Sequence, residues 1–369
     1  MRVTALQLRN FRNISEMEFE PVDGVNIIYG ENAQGKTNLL EGIWLFTGMR
    51  SFRSTKEKDY IQFGQSGSVL QMKFNNDVRE QNASIEIGEK KKVLLGGVKQ
   101  DSTASLVGEF LGTIFSPGHL ELVQGSPGER RKFLNQAISE LKPNYASRLT
   151  QFHRVLHQRN ILLKDLRFHP ELADTLAVWD ESFASLSAFL IRERRNYLEQ
   201  LKPHLKEFYS GISGGREEID ISYQSTLPAE GEDAALWREP ILNQLSKSRN
   251  DDITVGYTTV GPHRDDLHIT LNGMPVKEFG SQGQQRSCAL SLKMAEAIVI
   301  REITGKQPVV LLDDVMSELD SGRQDYILNH IDGWQVFLTC CEPSGILLSR
   351  QSQNGKMFEI KEGRLCSST

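Results

Sequence analysis

A chain of 369 residues has room for about two domains and can bury a core without disulfides or a structural metal. Its 43 Lys and Arg against 48 Asp and Glu give a formal charge of −5, which excludes a uniformly basic coat but not a local basic patch. No apolar run is long enough to span a membrane, and Cys288, Cys340, Cys341 and Cys366 lack zinc or C-x-x-C spacing, so they read as reduced thiols of a cytoplasmic protein.

The N-terminal part alternates apolar and polar residues with the period of half-buried strands: Leu6 and Leu8, Met17 and Phe19, Leu70, Met72 and Phe74, Ile85 and Ile87. Gly96-Gly97 marks a turn among them. One helix interrupts, from Lys36 to about Thr47. After Ser116-Pro117 the pattern becomes helical, with Pro127 and Pro143 each placed to open a helix. Tyr145, Leu149, Phe152, Leu156 and Leu163 keep a three-four spacing, as do Leu176, Trp179, Phe183, Leu186 and Leu190. Joined by the His169-Pro170 turn, these two stretches predict an antiparallel helical hairpin.

Gly211 to Gly215 ends that pattern. Strands are expected at Ile219–Tyr223, Ile253–Tyr257 and Leu267–Leu271, and Asn272-Gly273 has the composition of a type I′ turn. The last part alternates a helix from Gln284 to Ile303, a strand at Val309–Leu312, a helix after Asp320 and a strand at Val336–Thr339. That rhythm is that of a parallel sheet. The fold class is therefore α/β. Its expected divisions are 1–115, a helical insertion over 116–275, and 276–369.

Gly30-Glu31-Asn32-Ala33-Gln34-Gly35-Lys36-Thr37 matches the P-loop pattern, with apolar Val25, Ile27 and Ile28 before it and a helix starting at Lys36. Glycines let backbone N–H groups curl around phosphate oxygens, Lys36 brings a cation to the β- and γ-phosphates, and the Thr37 hydroxyl suits Mg²⁺. Val309 to Leu312 ends in Asp313 and Asp314. A carboxylate at the C-terminal edge of a parallel sheet is where the Mg²⁺ beside a P-loop takes a second protein contact, so Asp313 fits the metal side and Asp314 the attacking water. Ser281, Gly283 and Gln284 precede or open a long helix, whose N-terminus forms a second anion site. A monomer has no use for two γ-phosphate sites on one nucleotide.

The order P-loop, Ser281-Gln282-Gly283-Gln284-Gln285, apolar-Asp313-Asp314 and Ser317-Glu318-Leu319-Asp320 resembles the ABC-type ATPase heads of SMC-like DNA repair proteins. Leu8-Arg9-Asn10-Phe11-Arg12-Asn13, Gly261-Pro262-His263-Arg264-Asp265-Asp266, and Gly125-Ser126-Pro127 followed by Arg130-Arg131-Lys132-Phe133-Leu134 narrow the resemblance to the RecF family of bacterial recombination mediators. The resemblance implies an ATPase lobe with an inserted helical lobe, and ATP with Mg²⁺ as ligands. It implies an ATP-dependent homodimer in which Ser281, Gly283 and Gln284 meet the γ-phosphate held by the other subunit. It also implies a slow ATPase stimulated by DNA, binding at gapped DNA or single-/double-strand junctions, and work with RecR and RecO to load RecA in SOS-linked repair. Arg12 would join Gly30 to Thr37 near the nucleotide. The lobe-linking glutamine is unassigned, Gln124 being one candidate.

Residues 129–167 carry nine Lys or Arg against three acids, and Arg130, Arg131 and Lys132 are the candidate DNA contacts, with a merely solvated helix face as the alternative. The Gly261–Asp266 segment admits a metal site through His263, Asp265, Asp266 and His268, or a structural or nucleotide-adjacent role. A strand would aim alternate residues to opposite faces, which argues against the metal. Two other functions compete. A transporter's nucleotide-binding subunit would normally carry Glu at 314 and a histidine where Thr339 ends its strand. A chromosome-tethering SMC protein needs a far longer arm between Thr37 and Ser281.

Overall fold

The computed structural model describes residues 1–53, 56–76, 79–229, 231, 234–345, 347–349 and 355–368, without the side chains of 234, 235, 318, 367 and 368. The Glu318 side chain of the Ser317–Asp320 motif thus lies outside the described part.

The chain begins with β1 (Arg2–Phe11), β2 (Ile14–Phe19) and β3 (Val25–Tyr29). Helix α1 (Lys36–Trp44) follows, continued by a 3₁₀ turn to Thr47. Next come β4 (Ser68–Asn75), β5 (Glu80–Ile87), β6 (Lys92–Leu95), β7 (Val98–Gln100) and β8 (Gly112–Phe115). The central part carries α2 (Glu121–Gln124), α3 (Pro127–Leu141), α4 (Pro143–Asp165), α5 (Ala173–Ser213), β9 (Ile219–Gln224), α6 (Arg238–Val255), β10 (Asp266–Leu271), β11 (Met274–Pro275) and α7 (Val276–Phe279). The C-terminal part is α8 (Gln282–Thr304), β12 (Val309–Leu312), α9 (Ser321–His330), β13 (Val336–Cys340), β14 (Lys356–Lys361) and β15 (Arg364–Ser368).

Two compact units result: Met1–Leu120 with Glu207–Glu217 and Gln282–Thr369, and Glu121–Lys206 with Glu218–Ser281. The boundaries at 115 and 275 shift by several residues. The last turns of α5 also leave the helical unit, because Phe208 packs edge-on against Tyr326 and His330 of α9. Gly211 is required there: a Cβ would fall 1.9 Å from the Tyr326 ring.

The first unit holds two six-stranded sheets. One is antiparallel, in the order β2-β1-β4-β5-β6-β7; the alternation of Leu6, Leu8, Leu70, Met72 and Ile85 buries one face, and Gly96 and Gly97, both at positive φ, make the β6–β7 turn. The other runs β15-β14-β3-β13-β12-β8, parallel from β14 to β8. Its strands Val309–Leu312 and Val336–Cys340 are buried at every position, as expected for a sheet covered on both faces.

In the second unit, Pro127 and Pro143 open α3 and α4, and Leu162, Leu163, Leu166 and Leu176 form one buried cluster between α4 and α5. Asn272 and Gly273, at φ 49° and 79°, turn β10 into β11. The strand expected at Ile253–Tyr257 is not formed. β-Branched Ile253, Thr254 and Val255 instead close helix α6, which buries Ile241, Leu245, Ser248 and Asp252 at helical spacing. Ile253 packs on the leucine cluster, and Gly256, at φ 79°, ends the helix. Burial of one helical face outweighs strand propensity here. Among the described residues no helix is long and apolar enough to cross a membrane.

Candidate functional site

Strands β3 and β12 both pair with β13, one on each side and all in the same direction. Their C-terminal ends therefore share one edge of the sheet, with the end of β13 between them. The P-loop leaves β3 at this edge. Gly30, Ala33 and Gly35 have φ of 146°, 64° and 113°, so the loop curls tightly before α1. A Cβ on Gly30 would lie 2.3 Å from the Ile360 carbonyl, and one on Gly35 2.8 Å from Asn13 Oδ1. Lys36 Nζ donates to the carbonyls of Gly30 (2.5 Å) and Glu31 (2.8 Å). The loop is braced from outside: Asn13 Nδ2 donates to the Ala33 carbonyl, the Glu362 amide to Gln34 Oε1, and the Cys341 thiol to Asn32 Oδ1.

Across the edge, Thr37 Oγ1 donates to Asp313 Oδ1 at 2.7 Å. Two residues 276 positions apart thus meet at this edge. Thr339, the penultimate residue of β13, joins both acids. Its hydroxyl donates to Asp313 Oδ1 (2.9 Å) and accepts the Asp314 amide (2.9 Å). Burial pushes the Asp313 carboxyl above the ordinary carboxylate range, against the hydrogen bonds from Thr37 and Thr339 and the charge of Arg53. Asp314 sits at φ 52° and accepts a hydrogen bond from Ser317 Oγ at 2.8 Å. Asp313, Asp314 and Arg286 also line a cavity of about 40 Å³.

The family model described as an AAA domain matches residues 5–213. The DNA replication and repair proteins RecF of Clostridium perfringens and Ruminiclostridium cellulolyticum are 36% and 38% identical, over 99% and 100% of each chain. The chain belongs to the RecF family. Two solved structures of the recombination mediator protein RecF in the RecFOR pathway, one with ATP and one with ATPrS, superpose with TM-scores of 0.90 and 0.89 at 37% identity, each spanning at least 97% of both chains. The Smc head domain of Pyrococcus furiosus, 15% identical over 100% of this chain and 96% of its own, has a TM-score of 0.57 and shares the fold. The fold is that of an ABC-type ATPase head, and the transporter and chromosome-tether readings give way to RecF.

The remaining family motifs are placed as follows. Arg12, at φ 56°, turns its guanidinium to buried Glu41 (2.9 and 2.7 Å) and the Asp59 carbonyl, and lies over the Tyr60 ring. Ser281 immediately precedes α8, and Gly283 and Gln284 lie in its first turn. Gln284 Nε2 donates to Glu217 Oε1 at 2.6 Å, and the other oxygen of Glu217 accepts Tyr209 Oη at 2.7 Å.

Two of the three candidate DNA residues are corrected. Arg130 is 5% exposed and grips Asp266 with two nitrogens, at 2.7 and 2.8 Å. Arg131 is half-buried and donates to the Asp265 carbonyl. Both guanidiniums face the Gly261–Asp266 segment; only Lys132 is exposed, beside Glu129. The reason lies in helical phase: Phe133, Leu134, Ala137 and Ile138 face the core, and Arg130 lies on their side of α3. Among the described residues no cluster of three His, Cys, Asp or Glu could hold a metal, so the reading of His263, Asp265, Asp266 and His268 as ligands is dropped.

Sequence reading passed over Asn13, Asn38, Arg53 and Thr339 as site residues. Asn38 Nδ2 donates to Asn13 Oδ1, and Arg53 Nη1 donates to Asn38 Oδ1. Asn13 stands inside the Leu8–Asn13 motif, and the only local feature of Thr339 is that it takes the place of a histidine. No local signal marks Arg53.

Proposed function

We propose that the chain is an ATP-hydrolysing switch of recombinational DNA repair, in which ATP closes a homodimer on gapped DNA or a single-/double-strand junction and hydrolysis opens it. The hydrogen bond from Thr37 Oγ1 to Asp313 Oδ1 carries the reading, since it joins the P-loop to the acidic strand end at hydrogen-bonding distance. The chemistry of this pair fits Mg²⁺: two oxygen donors, one a carboxylate whose charge burial disfavours, and few protein ligands in all. Thr37 and Asp313 would hold the ion, which when bound neutralises charge on the β- and γ-phosphates.

The chain's own groups divide the rest of the work. Backbone N–H groups of 30–37 cradle the phosphates, and Lys36 turns from the Gly30 and Glu31 carbonyls to the β- and γ-oxygens. The Asp314 carboxylate, steadied by Ser317 while the Asp314 backbone amide donates to the Thr339 hydroxyl, orients the attacking water and takes its proton. Aspartate has a shorter arm than the glutamate of transporters, which fits slow, DNA-stimulated turnover. Ser281, Gly283 and Gln284 meet the partner's γ-phosphate with the N-terminus of α8. Arg12, immediately after β1 and braced on Glu41, is the further residue that the family reading assigns to the nucleotide. RecR, with RecO and RecA downstream, are the partners that family membership supports.

The test is Ser281→Arg, read by sedimentation with ATP. The variant should bind a fluorescent ATP analogue as wild type does, stay monomeric at saturating ATP, and lose ATP-stimulated DNA binding. A variant that dimerises normally rejects the two-sided site. Lys36→Ala is the control that loses ATP binding itself.

A further inference from the structure

The Gly261–Asp266 segment has no part in the P-loop chemistry, yet five of its six residues are tied inward. The Gly261 amide donates to Thr226 Oγ1 at 2.7 Å, and at φ 127° a Cβ there would strike the Phe183 ring. The Pro262 carbonyl accepts from Arg194, a buried arginine that also donates to Tyr145, Tyr223 and Asn135. His263 Nε2 meets the Thr258 carbonyl at 3.0 Å. Asp265, fully buried, accepts Tyr223 Oη and the amide and hydroxyl of Thr226. Asp266 holds Arg130.

Arg264 is the exception. Its amide closes the turn onto the Gly261 carbonyl at 2.7 Å, while its side chain is exposed and lies over the exposed ring of Tyr257, 4.9 Å from the ring centre. Among the described residues it has no acidic partner, because both neighbouring aspartates face inward. Arg131 is close enough to feel it: burial, then the charge of Arg194 and, least, that of Arg264 pull the Arg131 guanidinium below the ordinary arginine range, against Asp266 and Asp265. Next along the chain from Tyr257, Lys164 Cγ and Arg167 Nη2 lie 3.2 and 3.6 Å from where a Cβ on Gly256 would stand. Arg167 is held by the Ile253 carbonyl at 2.8 Å and the Thr254 carbonyl. So much buried ionic structure behind one exposed guanidinium is the arrangement of a rigidly presented contact.

We propose that Arg264, lying over Tyr257, with Lys164 and Arg167 beside the neighbouring Gly256, is a contact for the phosphate backbone of DNA on the helical unit. The inference rests on the DNA-binding reading above and moves the contact away from Arg130 and Arg131, whose work is to hold this turn. Arginine suits the task because its planar fork grips a phosphate while its face rests on an aromatic ring.

The test uses the full chain and a fluorescent duplex carrying a single-stranded gap, with anisotropy followed from about 50 to 200 mM salt. Arg264→Ala should weaken binding roughly tenfold at the low-salt end and flatten the salt slope by about 0.9, the value of one lost phosphate contact. Arg264→Lys should keep the slope, and both variants should keep wild-type ATP binding and urea midpoint, since the side chain is exposed. A wild-type slope in Arg264→Ala overturns the proposal and leaves an acidic protein surface as the occupant. Weaker binding with an unchanged slope overturns it too, because the residue then acts through the fold. Absence of DNA binding by the wild-type chain defeats the functional reading itself, and the contact with it.

Discussion

Thr339→Val is the perturbation that most directly questions the geometry of the acidic edge. The two side chains have nearly the same volume, so the change removes a hydroxyl without opening a cavity. That hydroxyl is buried and makes two hydrogen bonds, one to the Asp313 carboxylate and one from the Asp314 amide, each 2.9 Å. A bond to a charged group is worth roughly 1.5–3 kcal/mol and a neutral one roughly 0.5–1.5 kcal/mol, so the loss should be about 2–4 kcal/mol. Asp314 suffers further, because a non-glycine residue at φ 52° is held there by its surroundings at a cost of roughly 1–3 kcal/mol. Released from Thr339, its backbone should relax and its carboxylate should leave the position that serves the water. The expected result is a lowered urea midpoint and an ATPase rate reduced far more than ATP affinity, with Thr339→Ser restoring both. Nucleotide titration, steady-state hydrolysis and urea unfolding on the same preparation check it. Wild-type turnover with a change in stability below about 0.5 kcal/mol would refute the reasoning, since that is the range of an uninvolved surface site.

Two further expectations concern the helical unit. Burial holds the His263 imidazole down at about 4, below the ordinary 6.5, so the unfolded chain binds the proton more readily between those values. Stability conferred by neutral His263 should therefore be full above about pH 6.5 and fall as pH drops towards 4, by about 2–3 kcal/mol; urea midpoints of wild type and His263→Asn at pH 5 and 7.5 should differ in that sense, and a parallel pH dependence in the variant would count against it. Arg130→Met should lower stability by about 1–3 kcal/mol by leaving the part-buried Asp266 unpaired, whereas Lys132→Ala should change it by less than about 0.5 kcal/mol. Equal effects in urea unfolding would mean that the Arg130–Asp266 pair does not clasp α3 to the Gly261–Asp266 turn.

What sequence alone determined is what a contiguous stretch of chain can encode. The P-loop was legible because a phosphate cradle needs its glycines, lysine and threonine at fixed spacing within one turn. Asp313 was legible because a fully apolar strand ending in acids reads as a buried parallel strand, and Gly96-Gly97 and Asn272-Gly273 because each turn needs positive φ at adjacent residues. Tertiary structure decided the rest. Nothing local says that β13 lies between β3 and β12, and only that order sets Thr339 against both Asp313 and Asp314. Basic residues in a row read as a DNA surface until α3 is given a phase, which turns Arg130 to Asp266 and leaves the exposed charge on Arg264. Residues 253–255 favour a strand by propensity, but their place against Leu162 and Leu176 made them the end of a helix. In each case the deciding energy is burial or a hydrogen bond between residues far apart in the chain, and such partners exist only once the chain has folded.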